Sequence, residues 1–177
     1  YGEESVLEKH YAGARGKNVK GALTFIAQDC DSRCQIYVQT DIIKNEADDQ
    51  VLNFVKYWKK IRGRFRHTLV FDSKLSTYEN LAALDVDGIT FITLRRRGKN
   101  LVEEANSIPR GEWQRIKIDT PKRRYQNPLV YDSTIDLPPY GNIRQLIMKG
   151  NGREEPAFFI TNDNKSAVTD LVTVYSK

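Results

Sequence analysis

Apolar residues in the first third of the chain recur at spacings that predict a hairpin followed by a helix. Residues 23–27 and 35–40 have the composition of strands, and the Asp- and Ser-rich turn between them joins them as a hairpin. The next segment, residues 47–60, predicts a helix whose apolar face is formed by Val51, Leu52, Phe54, Val55 and Trp58. Upstream of the hairpin, residues 5–9 predict a short helix in a polar segment.

A strand–helix–strand unit is predicted next. Residues 68–71 form a short, continuously apolar run, which is typical of strands buried on both faces. Ser76 and Glu79 have the spacing of a capping box and predict the start of a helix. Residues 89–94 have the composition of the following strand. Such a unit has a right-handed crossover, and its two strands are parallel.

The second half of the chain is rich in Pro and Gly and predicts mainly strands. These are residues 113–118, 129–135, 143–148 and 158–161. Two of the runs alternate between apolar and polar residues, as in an antiparallel sheet with one face in water. Residues 162–164 predict the cap of a last helix, whose apolar stripe comprises Val168, Leu171, Val172 and Tyr175.

Asp72 directly follows the apolar run 68–71 and is the main candidate for chemistry. Loops at the carboxyl ends of parallel strands open outward and gather functional residues, so Asp72 is interpreted as a metal ligand. The alternative is a turn or helix-capping aspartate beside Ser73. Asp29, at the end of the first hairpin strand, is a second candidate, although its turn-rich surroundings explain it without a function.

The order of the predicted elements up to residue 94 is ribonuclease-H-like. Two motifs, VFDSKLSTYENL at 70–81 and GITFITLRRR at 88–97, together with residues 7–11 and 25–29, resemble bacterial insertion-sequence DDE transposases. The resemblance implies an α/β fold, a ribonuclease-H-like mixed sheet with helices that carries a β-rich antiparallel insertion. It implies three parts: the core (1–97), the insertion (98–163) and the start of the C-terminal core helix (164–177).

The resemblance also implies metal-dependent DNA cleavage and strand transfer. Three carboxylates of such a core bind two Mg²⁺ ions about 3.5–4 Å apart. Asp72 matches the second carboxylate, and Asp29 is the alternative for the first. We expect the first core strand and its Asp before Tyr1 and the Glu after Lys177, so the isolated chain is expected to be inactive. The alternative function is that of a non-catalytic nucleic-acid-binding remnant.

Charge favours a polyanionic partner. The net charge is +5, and residues 95–124 contain ten basic and four acidic residues, an excess of six. The DNA-binding candidates in that stretch are Arg95, Arg96, Arg97, Lys99, Lys122, Arg123 and Arg124. A solvated positive face is the alternative for these residues, and also for a smaller cluster at Arg62, Arg64 and Arg66.

The expected partners are DNA, as transposon ends and target, and a second copy of the full-length protein in a homodimer. No apolar run approaches the roughly 18 residues that span a bilayer, and no signal segment opens the chain. We therefore expect a cytoplasmic, nucleoid-associated bacterial protein with no membrane partner. A ribonuclease-H-like core further requires that residues 23–27, 35–40, 68–71 and 89–94 share one sheet.

Overall fold

The computed structural model describes residues 7–12, 16–96, 98–118 and 125–177, which form a mixed α/β fold. The α-helices are α1 (Gln50–Arg62), α2 (Tyr78–Val86), α3 (Lys99–Ser107) and α4 (Val168–Ser176). The strands are β1 (Lys9–Ala12), β2 (Lys17–Lys20), β3 (Leu23–Gln28), β4 (Gln35–Ile42), β5 (Leu69–Phe71), β6 (Phe91–Leu94), β7 (Gln114–Arg115), β8 (Leu129–Leu137), β9 (Gly141–Lys149) and β10 (Ala157–Thr161). In these ranges, no helix has the length and apolar character needed to cross a membrane.

Two antiparallel hairpins open the described chain. Strands β3 and β4 pair as predicted, with Ile26 opposite Val38. The predicted helix over residues 5–9 is wrong where the structure describes it, because Lys9 begins β1 and pairs with Lys20 of β2. The partner strand β2 lies outside the five residues on which the helix prediction rested, so helix propensity was a poor guide there. Residues 5 and 6 lie outside the described residues.

Helix α1 has the predicted apolar face but starts three residues later than expected. A 3-10 helix, Lys44–Asp49, precedes it. Val51, Phe54 and Val55 are buried. The helix ends at Gly63, whose backbone φ of 74° is the left-handed conformation that glycine adopts without steric cost, and the Gly63 N–H donates to the Lys59 carbonyl at 2.7 Å.

The strand–helix–strand unit is confirmed. Strands β5 and β6 are parallel, with Leu69 opposite Phe91 and Phe71 opposite Thr93, and α2 connects them. The predicted capping residue is wrong by one position, because Thr77 caps α2. Its hydroxyl accepts a hydrogen bond from the Asn80 N–H at 3.2 Å, whereas the Ser76 hydroxyl donates to the Thr77 carbonyl.

The prediction that residues 68–71 are buried on both faces is wrong. Strand β5 lies at the edge of the six-stranded sheet, whose order is β5-β6-β10-β9-β8-β7. Leu69 and Phe71 pack against the core that includes α1 and α2, whereas Val70 is 42% exposed. Its neighbour Ile92 on the same face is buried in a cluster with Leu171 and Val172 of α4. Helix α4 thus covers β6 and leaves β5 open.

The expectation that four segments share one sheet is also wrong for the described residues. Strands β3 and β4 pair only with each other there and form a separate two-stranded sheet. The two sheets nevertheless pack on the same core, since Phe25 of β3 and Leu69 of β5 belong to one cluster with Phe54 of α1 and Leu84 of α2. On the other face of the β3–β4 sheet, Ile26 and Val38 are 48% and 49% exposed.

The second half of the chain extends the sheet from β6. Strand β10 pairs antiparallel with β6, and β9, β8 and β7 follow. The predicted strand 113–118 shortens to β7, and α3, which sequence patterns missed, packs its Ala105 under Ile147 and Phe158. The expected cap at residues 162–164 is displaced: α4 begins at Val168, and the Asp163 carboxylate accepts from the N–H groups of Lys165 and Ser166.

Asn162 fastens β10 to the strand–helix–strand unit. Its Oδ1 accepts from the buried Phe91 N–H at 3.0 Å, and its Nδ2 donates to the Ile89 carbonyl at 2.9 Å and to Asp85 Oδ1 at 2.7 Å. The Tyr140 hydroxyl donates to the other oxygen of Asp85, and burial together with that carboxylate raises the pKa of Tyr140. The Asn162 amide therefore joins the end of β10 to residues 85–91, and Asp85 extends this network to Tyr140.

We expect Asn162→Ala to lower the free energy of unfolding by about 2–4 kcal/mol, because the buried Phe91 N–H and Ile89 carbonyl would each lose a partner. Urea denaturation measures this change. Asn164→Ala, at an exposed position two residues away, is the control and should stay within about 0.5 kcal/mol of wild type. Equal stabilities of the two variants would contradict the role assigned to Asn162.

Candidate active site

Asp72 lies immediately after β5, with an exposed side chain. Its Oδ1 accepts a hydrogen bond from the Lys74 N–H at 2.9 Å and contacts the Ser73 hydroxyl at 3.5 Å, so that it caps a short 3-10 helix, Ser73–Leu75. An ionised carboxylate has about four acceptor sites, so capping leaves capacity for a cation. The capping and metal-ligand interpretations are therefore compatible.

Arg96 lies at the same end of the sheet because β5 and β6 are parallel. Its Nη2 donates to the Ser73 carbonyl at 3.4 Å, which holds the guanidinium beside the residue that follows Asp72. Thr93 strengthens this edge, since its hydroxyl donates to the Phe71 carbonyl at 2.9 Å. An exposed guanidinium is thus bound to the residue that follows Asp72, where the two parallel strands end.

A shallow cavity of about 260 Å³ adjoins this edge. Its lining includes Ser73, Thr93 and Arg96 together with the acidic residues Asp48 and Glu79. Glu79 has a lowered pKa, first because of a hydrogen bond to its own backbone N–H and then because of the Thr77 side chain. Sequence patterns assigned both acids only to helix starts, and their approach to this edge is a tertiary effect.

Asn80 holds the two helix starts together beside the cavity. Its Nδ2 donates to the Asp48 carbonyl at 2.9 Å and to Asp49 Oδ1 at 3.0 Å. This side chain links α2 to the segment that precedes α1, and it fixes the position of Asp48 relative to Glu79. The cavity wall is therefore built by hydrogen bonds between elements about 30 residues apart in sequence.

The other basic candidates are in different environments. Arg95 is half-buried, and its Nη1 donates to Gln145 Oε1 at 2.6 Å, which ties β6 to β9. Lys99 is exposed in the first turn of α3. The remaining candidates lie outside the described residues: Arg97, Lys122, Arg123 and Arg124. Among the described candidates, Arg96 is therefore the guanidinium that contacts Ser73, the residue next to Asp72.

Asp29 and Asp72 are not brought together. Asp29 belongs to the β3–β4 turn, where its Oδ2 accepts from the Ser32 N–H at 2.7 Å and hydroxyl at 2.6 Å. These bonds lower the pKa of Asp29, with a smaller contribution from the charge of His67. The Asp29 turn belongs to the β3–β4 sheet, whereas Asp72 follows a strand of the six-stranded sheet.

The described residues do not fit a complete magnesium site. Within them, no group of three or more His, Cys, Asp or Glu side chains is arranged to hold a metal ion. Magnesium in proteins is held by carboxylates and waters in near-octahedral geometry. Asp72 is one suitable ligand at this edge.

The capping bond gives Asp72 a structural role that can be measured separately. We expect Asp72→Ala to lower the free energy of unfolding by about 1 kcal/mol, because the Lys74 N–H loses its acceptor. Asp72→Asn retains a side-chain oxygen, so its free energy of unfolding should lie within about 0.5 kcal/mol of the wild-type value. Urea denaturation of both variants measures the difference, and an unchanged stability of Asp72→Ala would contradict the capping role.

Comparison with known proteins leaves the site to be interpreted from its own geometry, since no family model and no curated protein matches this chain.

Proposed function

We propose that this chain is part of the catalytic domain of a DNA transposase with a ribonuclease-H-like core, which cleaves and joins DNA strands with bound Mg²⁺. The observation that carries the proposal is the exposed carboxylate of Asp72 at the carboxyl end of β5, in a parallel strand pair, with Arg96 bound to the carbonyl of the next residue, Ser73. Such strand ends are where α/β sheets bind ligands.

The neighbouring charges suit phosphoryl chemistry. A carboxylate attracts a hard divalent cation, and a guanidinium binds phosphate oxygens with directed hydrogen bonds. Asp72 and Arg96 supply these two functions at one edge, and the cavity next to them is open to solvent. Asp48 and Glu79 add acidic character to the cavity wall.

The separate β3–β4 sheet weighs against a complete ribonuclease-H-like core in these residues. One additional strand between β5 and the β3–β4 hairpin would join the two sheets into the single sheet that a ribonuclease-H-like core requires. The free edge of β5 is unpaired among the described strands, and the hairpin packs on the same helical layer. We infer that the first core strand, with the first catalytic Asp, occupies this place.

A non-catalytic nucleic-acid-binding remnant is the alternative function, and the separation of the two sheets favours it. Such a protein would retain DNA binding and the fold without turnover. The two functions differ in what Asp72 does: in the remnant it only caps the 3-10 helix, whereas in the enzyme it also binds a metal ion.

The test is Mn²⁺- or Mg²⁺-dependent nicking of supercoiled DNA by the complete protein that contains these residues. We expect Asp72→Asn to lower the nicking rate roughly a thousandfold, because losing a catalytic metal ion removes several kcal/mol of transition-state stabilisation. Asp136→Asn, an exposed carboxylate in the β8–β9 hairpin, is the matched control and should leave the rate unchanged.

Equal rates for wild type and Asp72→Asn would refute the catalytic role of Asp72 and support the remnant. The 177-residue chain alone is expected not to nick DNA. Robust metal-dependent nicking by this chain that Asp72→Ala abolishes would show that the other ligands are already present, and it would overturn the proposal that the catalytic set is incomplete here.

A further inference from the structure

The stretch with the most one-sided charge is distant from the Asp72 edge. Residues 50–70 contain six basic residues and no Asp or Glu: Lys56, Lys59, Lys60, Arg62, Arg64 and Arg66. They occupy the second half of α1 and the segment that leads into the start of β5. Asp72 follows the other end of β5, so the two sites lie at opposite ends of one strand.

Aromatic packing fixes the shape of this segment. Phe65 packs against the core cluster that contains Phe54, with ring centroids 5.9 Å apart, and lies 6.2 Å from the Trp58 ring. The Arg62 guanidinium carbon is 6.0 Å from the centroid of Trp58. Because Phe65 is anchored, Arg64 and Arg66 on either side of it are held at the surface, and both are exposed.

The protein itself neutralises little of this charge. Lys59 pairs with Asp87 at 3.0 Å. In the described parts of the chain, no carboxylate lies within ion-pair distance of Lys60, Arg64 or Arg66.

Stabilisation by the dipole of α1 accounts for the presence of only some of these basic side chains. Basic side chains in the last turn of α1 interact favourably with its carboxyl end, and that turn contains Lys59, Lys60 and Arg62. Arg64 and Arg66 lie beyond Gly63, outside the helix, where this stabilisation has faded. Among the described residues no ion pair offsets the charge of Arg64 and Arg66, and a bound polyanion would do so.

We propose that Lys56, Lys60, Arg62, Arg64 and Arg66, here called the α1 strip, form a second surface that binds the phosphate backbone of duplex DNA. The choice of DNA rests on the proposed function. A membrane surface fits less well, because helices that lie on membranes insert their apolar face into lipid, whereas α1 buries Val51, Phe54 and Val55 in the core.

The strip lies within reach of a duplex bound at Asp72. At about 3.3 Å per residue, the six residues from Arg66 to Asp72 span at most roughly 20 Å. That length corresponds to about six base pairs, since phosphates of one strand repeat every 3.4 Å along the duplex axis. One duplex is therefore long enough to contact Arg96 at one end of β5 and the α1 strip at the other.

The test is the salt dependence of binding to a short fluorescein-labelled duplex of random sequence, measured by fluorescence anisotropy with the 177-residue chain. In K60Q/R64Q/R66Q we expect the log–log salt slope to become shallower by about 2.7, which is 0.9 for each of three lost phosphate contacts. If the two proteins bind equally at 1 M salt, this corresponds at 0.1 M salt to binding weaker by about 500-fold.

The matched control is K44Q/R153Q/K165Q, which removes the same net charge at three other exposed positions and should change the slope little. R64K/R66K, which keeps both charges, should retain most of the binding. Thermal denaturation of each variant checks that the fold is intact. Equal slopes for the strip variant and the control variant would overturn the proposal, as would an absence of duplex binding by wild type.

Two further probes separate the possible partners. Duplex RNA and vesicles with anionic lipid are titrated in parallel. If K60Q/R64Q/R66Q loses binding only to RNA or only to vesicles, and keeps its binding to duplex DNA, the assignment to DNA is overturned. The experiments can refute the proposed α1 strip and the proposed catalytic role of Asp72 separately. Unchanged nicking in Asp72→Asn with a shallower salt slope in the strip variant refutes the catalytic role alone, whereas the reverse pair of results refutes the strip alone.

Discussion

Strand β6 pairs along both of its backbone edges. These two pairings join the strand–helix–strand unit to the antiparallel part of the six-stranded sheet. On one edge it pairs in parallel with β5, and on the other it pairs antiparallel with β10. Phe91, Ile92 and Thr93 are buried, so breaking either ladder would expose polar backbone groups in an apolar environment. The candidate active site depends on this arrangement, because the parallel pairing brings Arg96 beside the residue after Asp72.

The parts of the fold that sequence predicted are those with short-range determinants. The β5–α2–β6 unit was found because a dense apolar run, a cap signal and a second strand-like run lie within one contiguous segment. Helix α3 was missed because its apolar stripe is limited to Leu101, Val102 and Ala105 in a stretch otherwise rich in strand and turn signals. The division into separate sheets could not be predicted, since strand neighbours are decided by long-range pairing.

The candidate site shows the same division. Asp72 was identified because a strand and its terminal carboxylate are adjacent in sequence. Asp48 and Glu79 were not, because they reach the cavity through the packing of two helix starts that Asn80 links. Asp29 also follows a predicted strand, but it lies in a turn where its carboxylate accepts two bonds from Ser32. A strand-end carboxylate alone therefore does not identify a site; the orientation of the neighbouring strand is also needed.

The central claim is that Asp72 is a metal ligand, and anomalous X-ray scattering from Mn²⁺ tests it most directly. Crystals of the complete protein that contains these residues, grown with Mn²⁺ and DNA, should show an anomalous peak about 2.1 Å from an Asp72 carboxylate oxygen, the distance typical of a magnesium-type site. Ordered Mn²⁺ bound to other carboxylates, with Asp72 engaged only in its bond to the Lys74 N–H, would contradict the account.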